Sequence, residues 1–186
     1  MRKVIPILLV LVGLGFLAGG VYATVRGFDA KDQVRAELLA QNITTPEDAA
    51  IPNARVDDAA TANAMAEIIG VHAAEATGGE TYAEMGRFLA TDGGDTSDEA
   101  LALKDEEGNP VPNPLRNVAF QASSLQTSLH TSHMAFNVAD LVIGLGVFIA
   151  VLGLVIGGIG LTLGALVNPG LARRFHLAPV TAQIGV

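Results

Sequence analysis

The chain has 186 residues, half of them hydrophobic, with a formal net charge of −8 and no cysteine. The absence of cysteine excludes a disulfide framework and thiolate chemistry. All 19 acidic side chains lie between residues 26 and 140 together with only seven basic ones, so this segment has a net charge of −12. Because it lacks the cations that release counterions from phosphate, we expect no nucleic acid among the partners.

Two segments without charged residues, residues 4–25 and 141–167, are long enough to cross a membrane. As helices they measure about 33 and 40 Å, against about 30 Å of hydrocarbon in a bilayer. The sequence therefore predicts an integral membrane protein. Its predicted parts are a short N-terminus with the first span (1–25), an acidic segment (26–140), the second span (141–167) and a tail (168–186).

The charges at the two ends predict the orientation in the membrane. The basic residues that flank the spans are Arg2, Lys3, Arg173 and Arg174, and neither end carries an acid. By the positive-inside rule both termini are cytoplasmic and residues 26–140 are extracytoplasmic. A secretory signal is the alternative, because residues 21–23 resemble a cleavage site, although the apolar run is longer than a usual signal core.

The second span belongs to a longer pattern, in which small or apolar residues recur at alternating steps of three and four. This is the 3.5-residue repeat of a left-handed contact between helices. Asn113 followed by Pro114 is a typical helix start, so one unbroken helix is predicted over residues 115–167. The repeat consists of Leu115, Val118, Ala122, Leu125, Leu129, Ser132, Phe136, Ala139, Ile143, Gly146, Ala150, Gly153, Gly157, Gly160 and Gly164.

The first span carries a matching pattern with glycines one heptad apart, and the spacing continues past the span to Leu38, before Asn42 ends the helix. Small residues let helix backbones approach closely inside a membrane. The glycine seam, as we call the predicted packing interface, consists of Gly13, Gly20, Gly27, Gly146, Ala150, Gly153, Gly157, Gly160 and Gly164. The predicted fold is all-α: an antiparallel hairpin of two transmembrane helices with an extracytoplasmic helical insertion. The pattern leaves open whether the second helix meets the first or another protein.

The acidic segment contains further helix signals. Residues 56–77 are alanine-rich and predict a helix that Gly78 and the next glycine end. The predicted apolar face of this helix consists of Ala60, Ala64, Ile68 and Val71. Thr81 followed by Glu84 fits a capping box for a short helix through residue 89 or 90. Residues 91–113 are rich in Gly, Asp, Glu and Pro, which predicts an exposed, mobile loop.

Two pairs of side chains in the acidic segment are candidate metal ligands. His72 and Glu75 lie on one predicted helix, and His130 and His133 on another, each pair three residues apart and so on one face. Brought together, the pairs could bind zinc or iron; the alternative is that they are solvated polar positions. Asp140 stands at the outer boundary of the second span, where we expect an interfacial residue that faces water rather than a proton or cation path.

The arrangement of elements and two sequence blocks resemble a family of small actinobacterial membrane proteins with two spans. The blocks are residues 72–84, HAAEATGGETYAE, and residues 128–147, SLHTSHMAFNVADLVIGLGV. Many members of that family carry the name aromatic ring-opening dioxygenase. Such enzymes bind iron in a soluble domain, and these residues offer no matching ligand set, so the resemblance implies origin and topology rather than activity. The location that it implies is the inner membrane of a bacterial cell.

No nucleophile with a base, phosphate-binding loop or cofactor motif is recognisable, so the sequence predicts neither an enzyme nor a bound cofactor. The expected function is that of an accessory or assembly subunit of a larger membrane complex, respiratory or transport in kind. Its expected partners are other membrane protein subunits, or a second copy of the chain, and the lipid bilayer. The alternative is an extracytoplasmic sensor head that binds a metal or another ligand.

Overall fold

A computed structural model describes residues 4–167 of the chain. The predictions on Arg2, Lys3, Arg173, Arg174 and the tail lie outside the described residues. Two compact units are present, and their boundaries fall inside the long helices. The two-helix unit contains residues 4–31 and 138–167, and the inserted unit contains residues 32–137.

Three helices make up most of the described chain: α1 (Val4–Ala40), α2 (Ala59–Thr77) and α3 (Pro114–Val167). Two strands of two residues each, β1 (Phe88–Leu89) and β2 (Asp95–Thr96), pair in antiparallel fashion. The all-α prediction is therefore confirmed. Both α1 and α3 are long and apolar enough to cross a membrane.

Both long helices end where their local sequence predicts. Asn42, just beyond α1, adopts a positive φ of 52°, a left-handed conformation that asparagine tolerates and that stops a helix. At the start of α3, the side chain of Asn113 accepts a hydrogen bond from the amide of Leu115 at 3.0 Å, with Pro114 as the first helical residue. The predicted continuity of both helices past their apolar segments is confirmed.

The repeat along α3 is shifted near its start. Leu115, Val118 and Leu125 are exposed, while Ala119 is buried instead, so the prediction that all three line the contact face is wrong. A straight helix turns once in 3.6 residues and therefore drifts by about 20° per heptad from a strict 3.5-residue repeat. From Leu129 to Gly164 every predicted position is buried or half-buried.

The core of the inserted unit draws on three helices and one connecting segment. Its buried residues are Leu38, Val56, Ala62, Ala66, Leu129 and Phe136. Phe136 and Val56 are the largest hydrophobic side chains that are fully buried. The apolar continuation of α1 and α3 beyond the spans therefore forms a core with α2.

The second helix begins later than predicted, at Ala59 instead of residue 56, because Val56 is buried in the core and Asp58 caps the helix. Asp58 accepts a hydrogen bond from the amide of Thr61 at 2.8 Å. At the other end Gly78, with φ of 66°, donates its amide to Ala74, as predicted for a glycine stop.

The predicted apolar face of α2 is only half right. Ala64 and Ile68 are buried, but Ala60 and Val71 are exposed. The core residues Ala62 and Ala66 lie on a different side of the helix. Burial on two sides is possible because the buried residues between Thr61 and Ile68 are all alanines, which neighbouring chain can approach from more than one direction.

The short helix predicted after Thr81 does not form. The amide of Thr81 does donate to the carboxylate of Glu84 at 2.8 Å, but the chain then enters β1. Strand pairing prevails because Gly86 lies against the backbone of Thr96, leaving no room for a side chain there. Backbone pairing also crosses residues 91–113, where Leu103 bonds to both Leu89 and Val111. The mobility expected of this segment stays a prediction.

Candidate functional site

The glycine seam is the closest contact between α1 and α3 within the two-helix unit. A methyl group built on Gly13 would lie 2.5 Å from the backbone nitrogen of Gly157 and 2.7 Å from the carbonyl oxygen of Gly153. A methyl on Gly20 would lie 2.5 Å from the carbonyl oxygen of Gly146, and the nitrogen of Ala150 is closer still. The two backbones meet so closely that only hydrogen fits at these positions.

The contact continues towards both ends of the pair. A methyl on Gly27 would lie 3.1 Å from the nitrogen of Ile143, and one on Gly160 would lie 2.9 Å from the carbonyl oxygen of Pro6. Gly164 is looser, at 3.6 Å from the Pro6 side chain. Residue numbers thus rise along α1 as they fall along α3. Within the two-helix unit, the glycines of α1 therefore face the backbone of α3.

Other glycines of the same two helices are not part of this contact. Methyl groups built on Gly15, Gly19, Gly144 and Gly158 would meet nothing within 4 Å. Around the seam, only 17% of the most apolar window of α1 and 11% of that of α3 are buried. A core helix of a soluble protein would be mostly covered, so the outer apolar surface of this pair needs lipid or another protein to cover it.

One ion pair joins the two helices where their apolar segments end. The Nζ atom of Lys31 lies 2.6 Å from a carboxylate oxygen of Asp140, and both side chains are partly exposed. Sequence reasoning placed Asp140 at the outer boundary of the second span but did not identify Lys31 as its partner. Lys31 lies four residues after Gly27, but Asp140 lies six residues before Gly146, next to the repeat position Ala139 and not on it. The heptad spacing alone therefore does not indicate this pair.

Two of the four candidate metal ligands, His72 and His133, are hydrogen-bonded to other groups. His72 bonds to Asp48 at 2.7 Å, and this hydrogen bond lowers the pKa of Asp48. The Nδ1 atom of His133 lies 2.8 Å from the carbonyl oxygen of Ala59, so a main-chain acceptor occupies that ring nitrogen. His130 is exposed.

Glu75, the fourth candidate ligand, is also exposed. Among residues 4–167, no group of three or more His, Asp or Glu side chains is arranged to hold a metal ion. No three of the four candidates therefore form a shared centre in the described part of the chain. His72 contacts Asp48, and His133 contacts the main chain of Ala59. What the geometry offers is therefore a packing device and an ion pair rather than a metal centre.

Comparison with protein-family models, curated proteins and solved structures finds no match to this chain.

Proposed function

We propose that this chain is a non-catalytic accessory or assembly subunit of a larger bacterial membrane complex, respiratory or transport in kind. Its anchor is an antiparallel hairpin of transmembrane helices, and the inserted unit is its extracytoplasmic part. The observation that carries the proposal is the glycine seam, in which Gly13 and Gly20 pack against the backbone of α3 while the outer surface stays apolar and uncovered. Close backbone packing of this kind holds helices together where lipid removes the hydrophobic drive.

The seam favours a retained anchor over a cleaved signal. Cleavage after Ala23 would remove Gly13 and Gly20, the residues that α3 contacts most closely. The remaining helix would then cross the membrane without the backbone contact that its glycines make.

The ion pair supports the proposed placement of this hairpin in the membrane. Asp140 directly precedes the second charge-free segment, and Lys31 lies six residues beyond the first, where we expect the two helices to leave the bilayer. An ion pair in that position satisfies both charges at the interface without burying either in hydrocarbon. The proposed orientation itself rests on the basic residues at the two ends of the chain.

The seam also limits where a partner can bind. Since α1 and α3 occupy each other's glycine faces, a partner would contact their outer apolar faces, or the inserted unit. Homo-oligomerisation through the same outer faces is the close variant. The resemblance to small actinobacterial two-span proteins agrees with this topology and adds no activity.

Purification from native membranes in a mild detergent tests this proposal. We expect the tagged chain to elute with other subunits, or as an oligomer, at a mass above that of the 19.2 kDa chain in its micelle. A Gly20→Ala variant should loosen the hairpin that presents the outer faces and should therefore lose part of this assembly. Recovery of the wild-type chain only as a free monomer would contradict both versions.

A further inference from the structure

A cleft of about 260 Å³ opens on the inserted unit, away from every candidate that the sequence singled out as a ligand. It is lined by Tyr82, Arg87, Asn113, Arg116, Asn117 and Phe120. Two arginines, two carboxamides and two aromatic rings thus meet at one place on a segment whose net charge is −12.

The wall of the cleft is held by Asn113, which is buried. Its Nδ2 atom donates to the carbonyl oxygen of Gly86 at 3.1 Å and to a carboxylate oxygen of Asp95 at 2.9 Å. Its own amide donates to the carbonyl oxygen of Arg87 at 2.9 Å. Two hydrogen bonds therefore join the start of α3 to the segment that carries Arg87, and a third joins it to β2, so the two arginines are presented from a fixed frame.

The two arginines are stacked but not neutralised. The guanidinium of Arg116 lies 3.9 Å from the centre of the Tyr82 ring, and its Nε atom is buried without a hydrogen-bond partner in the described part of the chain. Arg87 lies over the Phe88 ring and donates to the carbonyl oxygen of Ser97. Between residues 4 and 167 neither forms an ion pair, whereas Arg35 pairs with Asp57 at 2.8 Å.

This lack of carboxylate partners points to a ligand. With 19 acidic side chains against 11 basic ones, acids to pair with are in excess, and a buried N–H of a charged group without an acceptor is costly. A guanidinium fork matches a carboxylate in two parallel hydrogen bonds. The surrounding negative charge repels a ligand in proportion to its own charge, which favours a monoanion over a phosphate group with a charge of about −1.5 to −2.

The aromatic wall indicates the rest of the ligand. The rings of Tyr82 and Phe120 lie 5.7 Å apart at 49°, and both side chains are exposed at the cleft. Rings in this arrangement offer an apolar surface to a planar or apolar body. The volume is slightly below the range of about 300–1,000 Å³ typical of drug-sized ligands, so the body must be small.

We propose that this cleft binds a small organic carboxylate with a planar, apolar body. Arg116 and Arg87 bind the carboxylate, and Tyr82 and Phe120 contact the body. The proposal is independent of the accessory role, because it needs neither a partner nor the seam.

Titration of the full-length protein in detergent with benzoate tests the proposal directly. We expect saturable binding by calorimetry and a shift of the Arg116 Nε–H signal in ¹⁵N NMR, which needs no variant that might misfold. Benzamide, neutral and of the same shape, should bind at least tenfold more weakly. Phenyl phosphate should also bind more weakly; a preference for it, or no saturable benzoate binding, would overturn the carboxylate assignment.

Matched variants locate the site. Arg116→Gln should weaken benzoate binding at least tenfold. Arg116→Lys should also bind benzoate more weakly than wild type, because a lysine keeps the charge but lacks the planar guanidinium that forms two parallel hydrogen bonds. Lys104→Gln removes the same charge outside the cleft and should leave binding unchanged. Equal losses in Arg116→Gln and Lys104→Gln would show general charge attraction only and would overturn the site.

Discussion

At the residue scale, neighbouring glycines of one helix have opposite roles. Gly19 and Gly20 have the same composition and helical backbone, yet only Gly20 faces another backbone. Neither has a positive φ, so glycine is required at position 20 by the approach of α3 and not by local conformation. The roles of Lys31 and Asp140 also depend on the opposite helix, because each side chain pairs with a residue that lies there.

Gly20→Ala should destabilise the helix pair by about 1–3 kcal/mol, because the added methyl meets the backbone of Gly146 and Ala150 and cannot rotate away. Gly19→Ala should change stability by no more than about 0.5 kcal/mol. Unfolding of the pair by SDS in mixed micelles, followed by energy transfer between labels on two introduced cysteines, measures both. Equal effects would show that the two helices do not meet at this face.

Asp58→Ala should destabilise the inserted unit by about 1 kcal/mol at neutral pH, because the first turn of α2 loses its cap. Hydrogen bonds from the backbone and side chain of Thr61 lower the pKa of Asp58 below its ordinary 3.8. The cap therefore stabilises fully above that value and is lost as pH falls through the lower folded pKa. The difference from wild type should shrink in acid, as measured by thermal unfolding, because a protonated carboxyl is a weaker acceptor than a carboxylate.

Asp58→Asn is the control for that measurement. Asparagine keeps a side-chain acceptor at the cap and does not titrate. This variant should therefore lose less stability than Asp58→Ala at pH 7, and its stability relative to wild type should rise as the pH falls. A wild-type advantage over alanine that persisted unchanged at pH 2 would contradict the role of the carboxylate.

At the element scale, α3 shows how one helix passes between two kinds of packing. In the two-helix unit its inner face is glycine and alanine, and the contact is made by backbone. In the inserted unit its inner face carries Leu129 and Phe136, and the contact is made by side chains of a core. Over such a length the drift from a strict heptad accumulates, and it moves Leu125 out of the contact.

Leu129→Ala should lower the free energy of unfolding by about 2–5 kcal/mol, because the Leu129 side chain is only 5% exposed and its removal leaves a cavity. Leu125→Ala, the same change four residues earlier, should cost no more than about 0.5 kcal/mol because Leu125 is 53% exposed. Chemical unfolding followed by circular dichroism compares them. A large loss of stability in Leu125→Ala would show that Leu125 lies in the contact, as the strict repeat predicts, and would contradict the shift described above.

At the scale of the whole molecule, two units with different stabilising forces share two helices. The inserted unit has a hydrophobic core of its own, which water can drive to form. The two-helix unit leaves most of its apolar surface uncovered, and this surface is stable only where water is excluded. The proposed membrane hairpin is the arrangement that satisfies both.

Single cysteines test this topology cleanly because the natural chain has none. Ser128→Cys, on the exposed surface of the inserted unit, should react with a membrane-impermeant maleimide added to intact spheroplasts. Leu154→Cys should not react, although Leu154 is 60% exposed in the isolated chain, because lipid would cover it. Labelling of Leu154→Cys, or no labelling of Ser128→Cys, would contradict the proposed hairpin.

The sequence by itself determined the features that are written locally. The absence of charge over two long segments, the cap at Asn113, the stop after Gly78 and the spacing of Gly13, Gly20 and Gly27 each depend on residues within a few helical turns. These features predicted the helices, their continuity and their small-residue faces, because helix formation is governed by local hydrogen bonding and periodicity.

Only the tertiary structure decided which faces meet. It paired the two glycine faces with each other, joined Lys31 to Asp140, replaced a predicted short helix by strand β1 and brought Arg87 to Arg116. Each of these depends on residues far apart in the chain, whose distance no local pattern encodes. Backbone approach and long-range hydrogen bonding decide such contacts, and both outweigh the weak local preference for a helix after Thr81.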